Sequence, residues 1–297
     1  MNTKSHDLDA LSKLRRAWEI ADRAGLLASK GLVQRISGIA GTRDRATCLL
    51  VAGVQRSGTN MVMDVLERSY STEVYHERDP RAFENFQLRG EPVIHDLISR
   101  CCSPLIVVKC LMESQKLAQL MEAFAPSRAL WVFRDYRDVV NSMLRSFGNQ
   151  ARQVRRIAAN RDADGWLGEC MSDATHSIVA ELATDDLDDA SAAAIQWYFR
   201  NIRFYEQSLD QNPDVLTVHY DDLVSAPAEQ FNRVFKFAGI GLSRRVLKHV
   251  SASSIRRRPP PVLRADVEAL CQQLYTRLQE DNRGGFEVLK QEAAATH

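Results

Sequence analysis

The stretch Cys48 to Val54, CLLVAGV, is short and almost purely apolar. A strand with one wet face alternates apolar and polar residues. An unbroken apolar run is what a strand buried on both faces needs. Such a strand must have helices packed above and below it. Four more stretches read as short strands: Thr72 to Tyr75, Pro104 to Val108, Arg128 to Phe133 and Val215 to Val218. Helical patterns fall between them, over Asn60 to Tyr70, Pro92 to Cys101, Ser114 to Phe124 and Tyr136 to Ser146. Alternation of this kind predicts βαβ units and an α/β fold, three layers deep, around a central parallel sheet.

The first strand runs into Gly53-Val54-Gln55-Arg56-Ser57-Gly58-Thr59-Asn60, and a helix opens directly after it. Glycines at this spacing allow a tight turn that cradles phosphate. The unpaired N–H groups of the first helical turn then face an anion, and the helix dipole favours negative charge there. A nucleoside-triphosphatase loop needs Lys after the second glycine and then Ser or Thr for magnesium. Here Thr59 and Asn60 hold those positions. The cation stands inside the loop, at Arg56, where a guanidinium can fork onto the oxygens of a transferring group. The loop therefore suits a phosphate-like group without the usual metal-holding hydroxyl.

A second constellation is Arg134-Asp135-Tyr136-Arg137-Asp138-Val139-Val140-Asn141-Ser142. Arg134 ends a strand and Ser142 follows two helical turns later. The pair can converge on one phosphate, the guanidinium in two-pronged contact and the hydroxyl beside it. Taken alone, Arg134 can equally pair with Asp135 or Asp138.

Together these stretches resemble the sulfotransferase superfamily that uses 3′-phosphoadenosine 5′-phosphosulfate (PAPS). QRSGTN is similar to that family's 5′-phosphosulfate loop, and RDYRDVVNS to its 3′-phosphate segment. VHYDDLV, Val218 to Val224, is similar to its Y-E-D-L segment. Arg56 in place of Lys is closer to the tyrosylprotein and bacterial glycan or lipid branches than to the cytosolic steroid and phenol enzymes. The resemblance covers about Thr47 to Leu278. It implies a P-loop-like αβα fold and PAPS as donor, with 3′-phosphoadenosine 5′-phosphate (PAP) as product and no metal. It implies donor contacts from Arg56, Ser57, Gly58, Thr59, Asn60, Arg134, Ser142 and Tyr220, with Ser251, Ser253 and Arg256 as late contacts from a closing loop.

Ligands of open parallel sheets bind beyond the carboxyl ends of the strands. That rule selects Arg56, then His76 and Glu77, then Lys109, Arg134, His219 and Tyr220. The expected reaction is in-line sulfuryl transfer to a hydroxyl or amine, with Arg56 and Lys109 as cations in place of a metal. Glu77 is the expected general base and His76 its rival, since imidazole titrates nearer neutrality. His95 and His219 read as structural. The rival functions are an ATP-dependent kinase of a small metabolite and a non-catalytic relative that binds PAP or a glycan. A net charge of +1, from 39 basic and 38 acidic residues, gives no general case for a nucleic-acid partner.

The rest of the chain is organised around this centre. Residues 1–46 are expected as a helical N-terminal extension, helical over 7–38, which allows peripheral membrane contact. Residues 47–290 form the main domain, 147–213 a helical insert on the acceptor side, and 291–297 a flexible tail. Further helices are expected over Ala192 to Leu209 and from about Arg264 to Leu278. Arg152, Arg155, Arg156 and Arg161 read as a solvated basic face. Six cysteines lack metal spacing and read as reduced thiols, which with no apolar leader points to the cytoplasm. The acceptor pocket is expected between Asp79 to Ile98 and Phe147 to Ala190. Arg78, Arg81 and Arg89 suit a polar or acidic acceptor, and Phe83, Phe86 and Trp166 an aromatic or lipid one. A carbohydrate or glycolipid hydroxyl is favoured, with a tyrosyl peptide or small natural product as alternatives.

Overall fold

Side-chain parity along the strands decides the architecture. In β1 (Thr47–Gly53), Cys48, Leu50 and Ala52 enter one apolar cluster while Leu49 and Val51 enter another. β5 (Leu105–Lys109) repeats this, with Ile106 and Val108 on one side and Leu105 and Val107 on the other. So does β6 (Ser127–Phe133), through Ala129, Trp131 and Phe133 against Leu130 and Val132. Successive strand residues point to opposite faces, so both faces of this sheet are buried. β2 (Thr72–Tyr75) and β7 (Val215–His219) complete a five-stranded sheet of order β2-β5-β1-β6-β7, parallel throughout. A separate hairpin pairs β3 (Phe83–Glu84) with β4 (Gln87–Leu88).

The computed structural model describes residues 23, 25–32, 46–248, 250 and 258–295, the last eleven of these as backbone only. Residues 1–44 and 45–297 form two separate units. In the first unit, residues 25–32 are helical, and the rest of the expected 7–38 helix, residue 23 apart, lies outside the described residues.

Helices cover the two faces unequally. They are α1 (Thr59–Glu67), α2 (Glu91–Arg100), α3 (Leu117–Ala123), α4 (Tyr136–Ser146), α5 (Gln150–Ala159), α6 (Asp173–Leu182), α7 (Asp189–Asn201), α8 (Arg203–Glu206), α9 (Tyr220–Ser225), α10 (Pro227–Phe237) and α11 (Ala265–Ala295). One face takes Val62, Met63 and Leu66 of α1 with Phe231, Val234 and Phe235 of α10. The other takes α2 to α7 and α11, including Trp197 and Phe199, both fully buried. Each such large apolar side chain contributes roughly 1.5–3 kcal/mol.

Two helices differ from their expected spans. The one expected over Ala192 to Leu209 starts at Asp189, because the Asp188 carboxylate accepts the N–H groups of Ala190 and Ser191. It breaks at Ile202, after which α8 adds a further turn. The last helix runs to Ala295, beyond Leu278 and into the expected tail. Beyond Leu278 the sequence is rich in Glu, Gln and Ala, which are good helix formers. The basic face is largely paired within the chain. Arg155 donates to the carbonyls of Thr184 and Leu187, Arg156 pairs with Asp164, and Arg161 with Asp173 at 2.6 Å.

β1 is central, and the chain leaves it first toward β5 and β2 and later toward β6 and β7. The crevice beyond its carboxyl end is therefore the topological switch point, where open α/β sheets bind ligands.

Candidate active site

β1 ends at Gly53, where φ is +144° and any Cβ would overlap the carbonyl of Val132 on β6. Only glycine fits so near the neighbouring strand. The chain then turns, with the Ser57 N–H donating to the Val54 carbonyl at 3.2 Å. Arg56 takes a left-handed φ of +70° and stands exposed. Gly58, at φ +94°, precedes α1 and no side chain caps it. The first N–H groups of that helix are thus left to an outside acceptor. Ser57 is fully buried, and its Oγ has no hydrogen-bond partner among the described residues. A buried hydroxyl left unpaired costs about 1–3 kcal/mol. A loop with an orphaned donor, bare N–H groups and an exposed guanidinium fits an oxyanion.

The second motif meets the first directly. Arg134 follows β6, Asp135 caps α4 by accepting the Arg137 N–H at 2.8 Å, and Ser142 lies two turns along. Arg56 Nε donates to Ser142 Oγ at 2.8 Å. The Arg134 guanidinium donates to Asp138 Oδ2 at 2.6 Å and lies 4.0 Å from Asp221 Oδ1. It also sits over the Tyr220 ring, 4.5 Å from its centre. Tyr220 in turn fills the space above Gly58, where a Cβ would overlap its ring. Tyr220 therefore joins the loop to Arg134. Asp221 is the member of this group that the sequence did not single out. Burial pushes its carboxyl above the usual range.

The third group lies at the ends of β5 and β2. Lys109 is 2% exposed, and its Nζ donates to Glu77 Oε2 at 2.5 Å and to Asn60 Oδ1 at 2.7 Å. Asn60 thus contributes by holding Lys109. The two candidate bases part company here. Glu77 faces Lys109, whereas His76 Nε2 lies 3.2 Å from Glu67 Oε1 at the end of α1. His219 stacks on Phe133 and meets Tyr275 at 2.9 Å and Asp222 at 3.2 Å, and His95 lies edge-on to Phe124.

Clefts open on two flanks. One of about 530 Å³ borders Glu77 and is walled by Arg78, Phe83, Phe86 and Arg89. The other, about 470 Å³, borders Gln55 and includes Arg152, Trp166 and Gln196. Ser251, Ser253 and Arg256 lie outside the described residues. The chain returns beside the site, where Asn141, next to Ser142, donates to the Pro259 carbonyl at 3.1 Å.

Residues 46–260 match the sulfotransferase domain family. The chain belongs to that family. Its sulfotransferase domain is similar in fold to the sulfotransferase domain from the Synechococcus PCC 7002 olefin synthase. The TM-score is 0.50 at 11% identity, over 79% of this chain and 97% of that one. The sulfotransferase domain from the curacin biosynthetic pathway aligns with TM-score 0.48 and 13% identity, over 79% and 99% of the two chains. Mouse sulfotransferase SULT7A1 complexed with PAP aligns with TM-score 0.43 and 11% identity, over 83% and 89%. No protein of curated description matches the chain.

Proposed function

We propose that this sulfotransferase moves a sulfuryl group from PAPS to an acceptor hydroxyl. The observation that carries this reading is the 2.8 Å hydrogen bond from Arg56 to Ser142. It joins two anion-binding motifs in one site, as a donor with anionic groups at both ends of its nucleoside requires. The buried Ser57 hydroxyl and the uncapped start of α1 support the phosphosulfate end. Arg134, Ser142 and Tyr220 serve the 3′-phosphate.

In the reaction the acceptor oxygen bonds to sulfur as the bond from sulfur to the bridging phosphate oxygen breaks. That oxygen keeps the electron pair and leaves as part of PAP. Glu77 accepts the acceptor's proton. Lys109, fixed by Glu77 and Asn60, and Arg56 stabilise the charge that gathers on the oxygens around sulfur. Sulfuryl carries one negative charge fewer than phosphoryl, so side-chain cations suffice. His76 is assigned a structural role through Glu67.

We also place the protein in the cytoplasm. All six cysteines are free thiols, as a reducing compartment keeps them. Among the described residues, no helix is long and apolar enough to cross a membrane.

Calorimetry with PAP in metal-free buffer tests the donor assignment. PAP is expected to bind and ATP to bind far more weakly. Arg56→Ala is expected to remove transfer of labelled sulfate from PAPS while leaving the fold intact. Undiminished turnover in that variant overturns the mechanism.

A further inference from the structure

The cleft beside Glu77 has walls that specify more than a hydroxyl. Two arginines, Arg78 and Arg89, line it, and Arg81 nearby in the chain differs from both. Arg81 is committed: it donates to both Asp79 oxygens, at 3.0 and 2.7 Å, and lies 4.6 Å from the centre of the Tyr75 ring. Arg78 and Arg89 are both exposed, and neither has a carboxylate partner among the described residues. Among the described residues the Arg89 side chain donates only to the Pro80 carbonyl, at 3.2 Å, and the Arg78 side chain reaches only the face of Phe86, 5.6 Å from its centre. Of the two carboxylates that line the cleft, Glu77 is already bonded to Lys109, which leaves Glu84 as the other acidic side chain on this rim.

The aromatic wall is also placed at a cost. The turn between β3 and β4 holds Asn85 at φ +50° and Phe86 at φ +66°. Two left-handed residues suit the twist of a hairpin, and Asn-Gly is the favoured pair. A phenylalanine there is strained, and 49% of its surface is exposed, so burial does not explain it. The hairpin is held in place by the Leu88 N–H, which donates to Glu113 Oε1 at 2.6 Å, and the Arg89 N–H, which donates to the Ala82 carbonyl at 2.9 Å. The result is a held, outward-facing ring with the Arg78 guanidinium over it and Arg89 in the same cleft wall, which also includes the proposed base.

We infer that the acceptor is itself an anion: a hydroxyl compound with a flat apolar face and a carboxylate, phosphate or sulfate group. Phe86 receives the flat face, Arg78 and Arg89 receive the anionic group, and the hydroxyl is left toward Glu77. This deepens the sulfuryl-transfer reading and rests on it. Both an anionic phenol and an anionic sugar offer this chemistry.

The experiment measures binding of matched probes by ligand-observed NMR, with and without PAP. The phenol set is 4-hydroxyphenylacetate, its neutral counterpart 2-(4-hydroxyphenyl)ethanol, and the cationic tyramine. The sugar pair is methyl glucuronide and methyl glucoside. The anionic member is expected to bind about threefold or more tightly than its neutral partner in one set, the scale of exposed ion pairs. The set that shows the preference identifies the source. Arg78→Gln and Arg89→Gln, both surface changes, are expected to erase most of the preference, and Arg78→Lys to keep part of it. Equal binding of charged and neutral probes, tighter binding of tyramine, no binding by any probe, or a preference untouched by both glutamine variants overturns the inference. PAP titrated in the same samples reports on the donor site separately, so failure there counts against sulfuryl transfer and leaves the charge preference to be read on its own.

Discussion

Replacing Gly58 by alanine tests how the loop and the motif from Arg134 to Ser142 are joined. Two penalties act at this position. The residue sits at φ +94°, where an L side chain costs about 1–2 kcal/mol. The new Cβ would also overlap the Tyr220 ring, with even its Cγ only 3.1 Å away. That ring has little room to retreat, being 7% exposed and carrying the Arg134 guanidinium 4.5 Å from its centre. Overpacking of this kind costs about 1–3 kcal/mol. Gly58→Ala is therefore expected to destabilise the protein by about 2–5 kcal/mol in urea unfolding. PAP affinity is expected to fall with it, because relief comes by pushing Tyr220 into Arg134. The second arm is a double-mutant cycle. Tyr220→Ala removes the overlap and leaves the backbone penalty, so the two changes should couple by about 1–3 kcal/mol, with the double variant more stable than additivity predicts. Simple additivity within about 0.5 kcal/mol would refute the contact as the link between the motifs.

Three further outcomes are expected. Glu77→Gln should leave PAP affinity within a few-fold of the parent while turnover falls by about 10²–10⁴, and His76→Gln should lower stability more than turnover; the reverse pattern in paired kinetic and unfolding assays would move the base to His76. Arg134→Lys keeps the charge but loses the planar fork, so PAP affinity measured by calorimetry should drop by about tenfold or more. Burial raises the Glu113 carboxyl above its usual range in the folded protein, so the folded state holds its proton at pH values where the unfolded chain has released it. Stability should then fall as pH rises from about 4.5 through the folded value, by at most about 1.4 kcal/mol per pH unit from this group, and Glu113→Gln, which can still accept the Leu88 N–H, should remove that component from urea midpoints across the range.

The parallel sheet was legible in the sequence because its strands are buried on both faces, and such strands read as plain apolar runs. Thr72 to Tyr75 has the observed bounds, and the other four shift by a residue or so at their ends. The hairpin at Phe83–Glu84 and Gln87–Leu88 was not legible. Its strands are two residues each, too short for a period, and its turn uses Phe86 where a glycine would have announced it. Helices α9 and α10 also went unassigned. YDDLVSAP reads as a motif with a proline rather than as two short helices, yet Pro227 stands in the first turn of α10, where its missing N–H costs nothing. At the site, Arg56, Glu77, Lys109, Arg134 and Ser142 were selected from strand ends and spacing. Their supports were not. That Lys109 is shared by Glu77 and Asn60, or that Arg134 lies between Asp138, Asp221 and Tyr220, depends on which strands are neighbours, and sheet order is not written in any local pattern.

Sheet order also explains how a nearly neutral chain can gather the cations that the proposed donor needs. The three central cations stand at the ends of the three adjacent strands β5, β1 and β6, which the crossover at β1 brings side by side. Each is held by a different kind of partner. Lys109 is buried against a carboxylate and an amide, so its position is set before any ligand arrives. Arg134 is flanked by two carboxylates and backed by an aromatic face, so its charge is largely offset. Arg56 is exposed and bonded to a neutral hydroxyl, which leaves its full charge available. Glu77, Asp138 and Asp221 thus cancel much of the local field. Selectivity then comes from the spacing of the guanidinium and ammonium groups rather than from net charge. This is why the count of basic and acidic residues carries no trace of the site.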